Sequence, residues 1–161
     1  MNELKFTSKF TLYKNSSELS ELDNNLLLKA IEARNNAYAP YSKFCVGVAL
    51  LLDNGSIIQG NNQENAAYPS GMCAERVAIW NAASQFPDIK IEKIFISAKA
   101  KNKVVDKPVS PCGACRQTIA EYEVKQSQKI EILFTGETGK IIKAYSISDL
   151  LPLAFDNSFL K

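Results

Sequence analysis

Three cysteines and one glutamate are the residues of this 161-residue chain best placed to do chemistry. Cys73-Ala74-Glu75 opens one predicted helix, and Pro111-Cys112-Gly113-Ala114-Cys115 opens another. Helix N-termini carry partial positive charge and unpaired N–H groups, which favour thiolate over thiol. Two such ends aimed at one point suit a thiophilic cation. Cys112 and Cys115 are three residues apart and share one face of a first turn, and Cys73 can close the triangle from the other helix. Three protein ligands leave a fourth tetrahedral position for water, the pattern of a catalytic zinc rather than a structural one. Glu75 follows Cys73 by two positions. In mid-helix that spacing would separate the side chains. At a first turn both lean toward the helix N-terminus, so Glu75 can reach a water at the metal without ligating it. Its plainer role is to complement the helix dipole.

Two facts of composition sharpen this. The chain has no histidine, which excludes Ser-His-Asp and Cys-His catalysis and every histidine-containing zinc site. A general acid or base must then be Asp, Glu, Lys, Tyr or Cys. Three thiolates on one Zn²⁺ would also leave a net negative charge. Arg76, Arg116 and Gln117 stand beside the cysteines as candidates to offset it; the competing reading makes the arginines solvated surface residues. The fourth cysteine, Cys45, sits in the apolar run Cys45 to Leu52 and reads as a small core residue. The rival is a closed four-cysteine structural zinc, with no open position and no use for Glu75. A lone Cys-x-x-Cys fits redox chemistry, zinc or chance.

The elements that must position these residues follow from periodicity. Phe6, Phe10 and Leu12 alternate with polar residues, as in a strand. Helical spacing runs from about Asp23 to Ala37, ended by Pro40. A strand to Leu52, the turn Asp53-Asn54-Gly55 and a strand from Ser56 to Gly60 make a hairpin. A helix from about Met72 to Gln85 is apolar nearly all round and belongs inside the protein. A strand from Ile91 to Ala98, a charged loop from Lys99 to Lys107, and a helix from Pro111 to about Tyr122 follow. Strands at Ile130 to Phe134 and Ile141 to Tyr145 precede a short helix capped by Ser148. The order predicts an α/β fold, a three-layer α-β-α sandwich on a mixed sheet of about five strands. Residues 1–20 read as an N-terminal extension with one strand, and residues 21–161 as a single catalytic domain.

The bulk properties exclude several classes. Apolar residues are 46% and charged residues 22%, as in a globular core-forming chain. With 19 basic and 17 acidic side chains, the net charge of +2 gives no footprint for a nucleic acid. No apolar run approaches a membrane span, and the N-terminal residues lack a secretion-signal pattern, so a cytoplasmic protein with reduced thiols is expected.

The motifs together resemble the small homotetrameric cytidine deaminases that act on free nucleosides. Cys-Ala-Glu with Pro-Cys-x-x-Cys fits the zinc-deaminase signature. Tyr41-Ser42-Lys43-Phe44-Cys45-Val46-Gly47 is similar to the family's YSxFxVG stretch, and Gly60 to Tyr68 to its GxNxENAxY loop. Leu150-Leu151-Pro152 with Phe155 is similar to its C-terminal end, and the likeness runs from about residue 23 to 156. The resemblance implies one Zn²⁺ per chain on Cys73, Cys112 and Cys115, with Glu75 moving protons. It implies that Asn62 and Glu64 bond the ribose 3′-hydroxyl, that Phe44 packs near the base and that the Ala74 N–H meets the base carbonyl. Tyr68 would complete a neighbouring subunit's site in a homotetramer. The implied reaction is hydrolytic deamination of cytidine and 2′-deoxycytidine in pyrimidine salvage. Its rivals are a blasticidin-type antibiotic deaminase, an enzyme editing bases in RNA or DNA, and a non-catalytic zinc domain. Three features depart from the pattern: residues 1–20, Ser70-Gly71-Met72, and a long 99–107 loop.

Overall fold

The computed structural model describes residues 1–160. Nine main elements carry the fold. They are β1 (Phe10–Tyr13), α1 (Glu21–Asn35), β2 (Phe44–Leu52), β3 (Ile57–Asn61), α2 (Ala74–Gln85), β4 (Ile91–Ala100), α3 (Gly113–Gln126), β5 (Glu131–Thr135) and β6 (Ile141–Ala144). The strands form one six-stranded sheet in the order β1-β6-β5-β4-β2-β3. Only β4 and β5 run parallel; every other neighbouring pair is antiparallel. The mixed α/β sandwich holds, with one more strand than expected. The extra strand is β1, whose Phe10 to Tyr13 pair with Ala144 to Ile141 of β6; Phe6 falls outside it.

Strand alternation sorts the core into two layers. Val48, Leu50, Leu52, Ile94, Ile96, Ile132 and Phe134 face α2 and α3, where Ala74, Ala78, Ile79 and Ile119 cover them. Ala49, Leu51, Phe95, Leu133 and Ile141 point the other way, onto Leu26, Leu27 and Ala30 of α1. Two glycines set how closely the helices lie. A Cβ on Gly47 would stand 2.1 Å from the Ala30 carbonyl oxygen of α1, and one on Gly60 would stand 2.5 Å from the Ala78 nitrogen of α2.

Several boundaries depart from the sequence pattern, each for a local reason. Ser20 caps α1, its Oγ accepting from the Asp23 N–H at 3.1 Å. The helix stops at Asn35, ahead of Pro40, because Tyr38 takes extended backbone and bonds Asn62 and Glu64. Met72 is likewise extended, in a two-way bridge to Gln63, so α2 begins at Ala74 with Cys73 as its N-cap. That helix is not buried all round: Trp80 is 45% exposed and faces outward. β4 runs on through Lys99 and Ala100, which pair with Cys45 and Phe44. α3 runs on to Gln126, whose side-chain amide bonds both backbone groups of Ile91. Ser146, not Ser148, caps the last turn before Leu150, accepting from the Ser148 N–H.

Gly60 offers a test of this packing. Gly60→Ala drives a methyl into α2 backbone that cannot rotate away, and lifts the end of the helix that carries Cys73. We expect a loss of about 1–3 kcal/mol in a denaturant melt, together with a reduced zinc content by metal analysis.

Candidate active site

The two helix ends that carry the cysteines meet at one mouth of the sandwich. Cys73 is the N-cap of α2 and Cys112 the N-cap of α3, both with extended backbone. Neither side chain caps its own helix, so both sulfurs are free to turn toward each other. The Sγ atoms of Cys73 and Cys112 lie 3.8 Å apart and those of Cys112 and Cys115 3.5 Å apart. All three fall within 4.8 Å of one another. A tetrahedral ion bonded to sulfur at about 2.3 Å needs sulfurs about 3.8 Å apart, so the donor set fits zinc in number, chemistry and spacing. Cys45 is not in this cluster. Phe44 and Val46 border the site from one face of β2, so Cys45 between them points to the α1 face. That placement removes the closed four-cysteine alternative.

Charge at the cluster is managed locally. Hydrogen bonding from the Cys115 thiol, aided by Arg76 and Cys112, lowers the Cys73 thiol from an ordinary 9.0 to about 5. Cys115 moves the opposite way, because its proton serves Cys73 and its sulfur is buried. The Arg76 Nη2 donates to the Cys73 sulfur at 3.4 Å, which raises the arginine's own pKa. Arg116, by contrast, does not reach the sulfurs. Its Nε donates to the Pro111 carbonyl at 2.9 Å, and its two terminal nitrogens donate to the Leu150 carbonyl at 2.8 Å and the Ser110 hydroxyl at 3.1 Å. A planar fork with five donors matches that acceptor set. Arg116 therefore braces the backbone leading into Cys112. Gln117 likewise points away, donating to the Phe155 carbonyl at 2.7 Å and tying down the C-terminal segment.

Glu75 is 5% exposed, beside the cluster. Burial raises its pKa first, and the negative charge on Cys73 adds to the rise; its own N–H, the Cys115 thiol and Arg76 oppose it. A carboxyl so placed holds a proton more readily than one in water, which suits a group that must take and return one.

The cluster opens into a cavity of about 860 Å³. Phe44, Asn62, Glu64, Tyr68, Ala74, Glu75 and Arg76 all border it. Asn62 and Glu64 are engaged within the protein. The Asn62 amide accepts from the Val46 N–H at 2.8 Å and donates to the Phe44 carbonyl at 2.9 Å, extending the β2–β3 ladder through a side chain. Glu64 accepts from the N–H groups of Tyr41 and Ser42 at 2.9 and 3.2 Å, and from the Ser42 hydroxyl. Each still has unused acceptor or donor capacity. Tyr68 is 77% exposed, edge-on to Tyr41 at 6.3 Å. Val46, Ile96 and Val109 add to the apolar part of the lining. None stands out in the sequence, although Val46 follows Phe44 by two and so shares its face of β2.

Replacement of the sulfurs tests the donor set. Cys73→Ala, Cys112→Ala and Cys115→Ala should each lose most of the bound zinc after dialysis, and Cys45→Ala should keep it, as read by elemental analysis of the purified proteins.

Comparison with known proteins agrees with this geometry. Residues 20–129 match the family described as the cytidine and deoxycytidylate deaminase zinc-binding region. A cytidine deaminase of Halalkalibacterium halodurans is 42% identical over 135 residues, covering 83% of this chain and 95% of that protein. One from Sporosarcina psychrophila is 42% identical over 137 residues, covering 84% of this chain and 92% of that one. The crystal structure of a Burkholderia pseudomallei cytidine deaminase superposes with a TM-score of 0.72 at 34% identity, covering 85% of this chain and all of that one. That of Mycobacterium tuberculosis gives a TM-score of 0.63 at 30% identity, covering 82% and 95%. The paired thiol helices, the buried glutamate and these likenesses together place the chain in the zinc-binding cytidine and deoxycytidylate deaminase family.

Proposed function

We propose that this protein hydrolyses the 4-amino group of cytidine and 2′-deoxycytidine, giving uridine or 2′-deoxyuridine and ammonia. The observation that carries the reading is a buried carboxyl, Glu75, set against three convergent thiols beside a cavity large enough to admit a nucleoside. Cys73, Cys112 and Cys115 hold the zinc. Bound there, zinc supplies Lewis-acid activation of water near neutral pH. Glu75 takes a proton from the water and delivers it to N3 of the base while the water oxygen joins C4. Glu75 then takes the proton of the new C4 hydroxyl and passes it to the amine; the C4–N bond breaks as the C4 carbonyl forms, and ammonia leaves. Phe44 packs against the base. The Ala74 N–H, at the free end of α2 where the first helical bond runs from Val77 to Cys73, meets the base carbonyl. Asn62 and Glu64 offer their remaining bonding capacity to the ribose 3′-hydroxyl, and Arg76 offsets the charge of the thiolates.

The same reading extends to assembly and setting. Residues 21–161 act as one catalytic domain, and residues 1–20 serve it as an added strand. Four copies assemble, with Tyr68 of each reaching the mouth of a neighbour's cavity. The exposure of Tyr68, Trp80 and Phe155 supports such contacts. Among the described residues no helix is long and apolar enough to cross a membrane. We place the reaction in pyrimidine salvage in the cytoplasm; four free thiols suit a reducing compartment.

Four experiments test these assignments. Purified protein should convert both cytidine nucleosides, followed by ultraviolet absorbance and ammonia release; no turnover with zinc bound would overturn the reading. Glu75→Gln should keep its zinc yet lose at least about 10²–10⁴-fold in kcat. Sedimentation should give four chain masses, and Tyr68→Ala should reduce activity per site.

A further inference from the structure

We propose that Ser42 is a positioning residue for substrate binding, one hydroxyl that fixes the Glu64 carboxylate and the Phe44 ring relative to each other. The inference rests on the cytidine deaminase reading above, which gives Glu64 the ribose and Phe44 the base. Ser42 Oγ donates to Glu64 Oε1 and accepts from the Phe44 N–H at 3.0 Å. The Ser42 N–H and the Tyr41 N–H hold the other carboxylate oxygen, Oε2, at 3.2 and 2.9 Å. The carboxylate thus receives three donors from one turn of chain, and the turn takes its shape from the carboxylate. Ser42, Phe44 and Glu64 all border the same cavity.

The backbone is bent to make this possible. Lys43, between the two residues, has φ of 58°, the left-handed region that side-chain-bearing residues adopt at a cost of about 1 kcal/mol. Its carbonyl accepts from the Lys101 N–H at 2.9 Å, which anchors the bend to the end of β4. In extended chain Ser42 and Phe44 would stand about 7 Å apart along the strand, and the hydroxyl could not return to the Phe44 N–H. The strain sits at the binding face, where it aims two groups at one ligand. The Ser42 hydroxyl is also the leading influence holding the Glu64 carboxyl below its usual range, ahead of the backbone donors and of Lys43, the charged group acting on it. Glu64 therefore stays an acceptor for the sugar.

The role predicts a pattern that a merely structural residue would not give. Ser42 is exposed to solvent, so Ser42→Ala should still fold, with at most a small drop in melting temperature. Its KM for cytidine should rise about tenfold, the value of one charge-assisted hydrogen bond, with kcat within about twofold of the parent. The preference for cytidine over 3′-deoxycytidine should narrow in the same variant, because the affected contact is the one to the 3′-hydroxyl. Ser42→Thr, which keeps the hydroxyl, should restore KM. An unchanged KM, or a threonine variant as impaired as the alanine one, would overturn the proposal. A readout without substrate separates it from the proposed function. The Glu64 carboxyl carbon, followed by NMR against pH, should titrate at higher pH in Ser42→Ala than in the parent. Coincident titrations refute the Ser42–Glu64 link even if the parent deaminates cytidine. A clear shift supports the link even if it does not, while absence of turnover by the parent counts against the proposed function alone.

Discussion

Three sulfurs from two helices must lie within 4.8 Å of one another, and much of the structure answers to that demand. Cys112 and Cys115 come as a pair from a single turn. Cys73 does not; its position depends on where α2 sits over the sheet. Gly60 decides that height, because nothing larger than hydrogen fits between β3 and the backbone of α2. The opposing end is fixed by Arg116, which gathers Pro111, Ser110 and Leu150 around the entry to α3. Arg76 then meets the charge that convergence creates, from within the same helix as Cys73.

The cavity beside the cluster uses its polar groups twice. Asn62 and Glu64 are the residues assigned to the sugar, yet both also hold the protein's own chain: Asn62 the end of β2, Glu64 the turn before it. Binding groups left to float would have to be ordered when substrate arrives, at a cost in side-chain entropy. Groups already bonded on one side are ordered beforehand and offer their remaining lone pairs in fixed directions.

How much of this was legible beforehand depended on whether a residue's role is local. The cysteine spacing, the helix-opening positions and the glutamate two residues after Cys73 were readable because they follow from chain geometry over a few residues. The face of Cys45 was implicit in strand alternation. Roles set by distant partners were not readable. Arg116 and Arg76 each follow a zinc-site cysteine closely in sequence, but only Arg76 reaches sulfur; Arg116 finds two carbonyls and a hydroxyl instead. The end of α1 was misplaced because Tyr38 pairs with Asn62 and Glu64, beyond the reach of any helical periodicity. Trp80 faces outward on a helix whose composition suggested full burial. The sixth strand was visible as alternation in the extension, but its partner, β6, lies near the opposite end of the chain.

That last pairing constrains the order in which the protein can be built. Thr11 meets Tyr145 across 134 residues, and closing a loop of that length costs about 4 kcal/mol in chain entropy before any contact offsets it. During synthesis β1 has no sheet partner until β6 follows it. β1 neighbours only β6 in the sheet, so it can join only once β6 is in place. Its docking turns the exposed edge of β6 into a paired one.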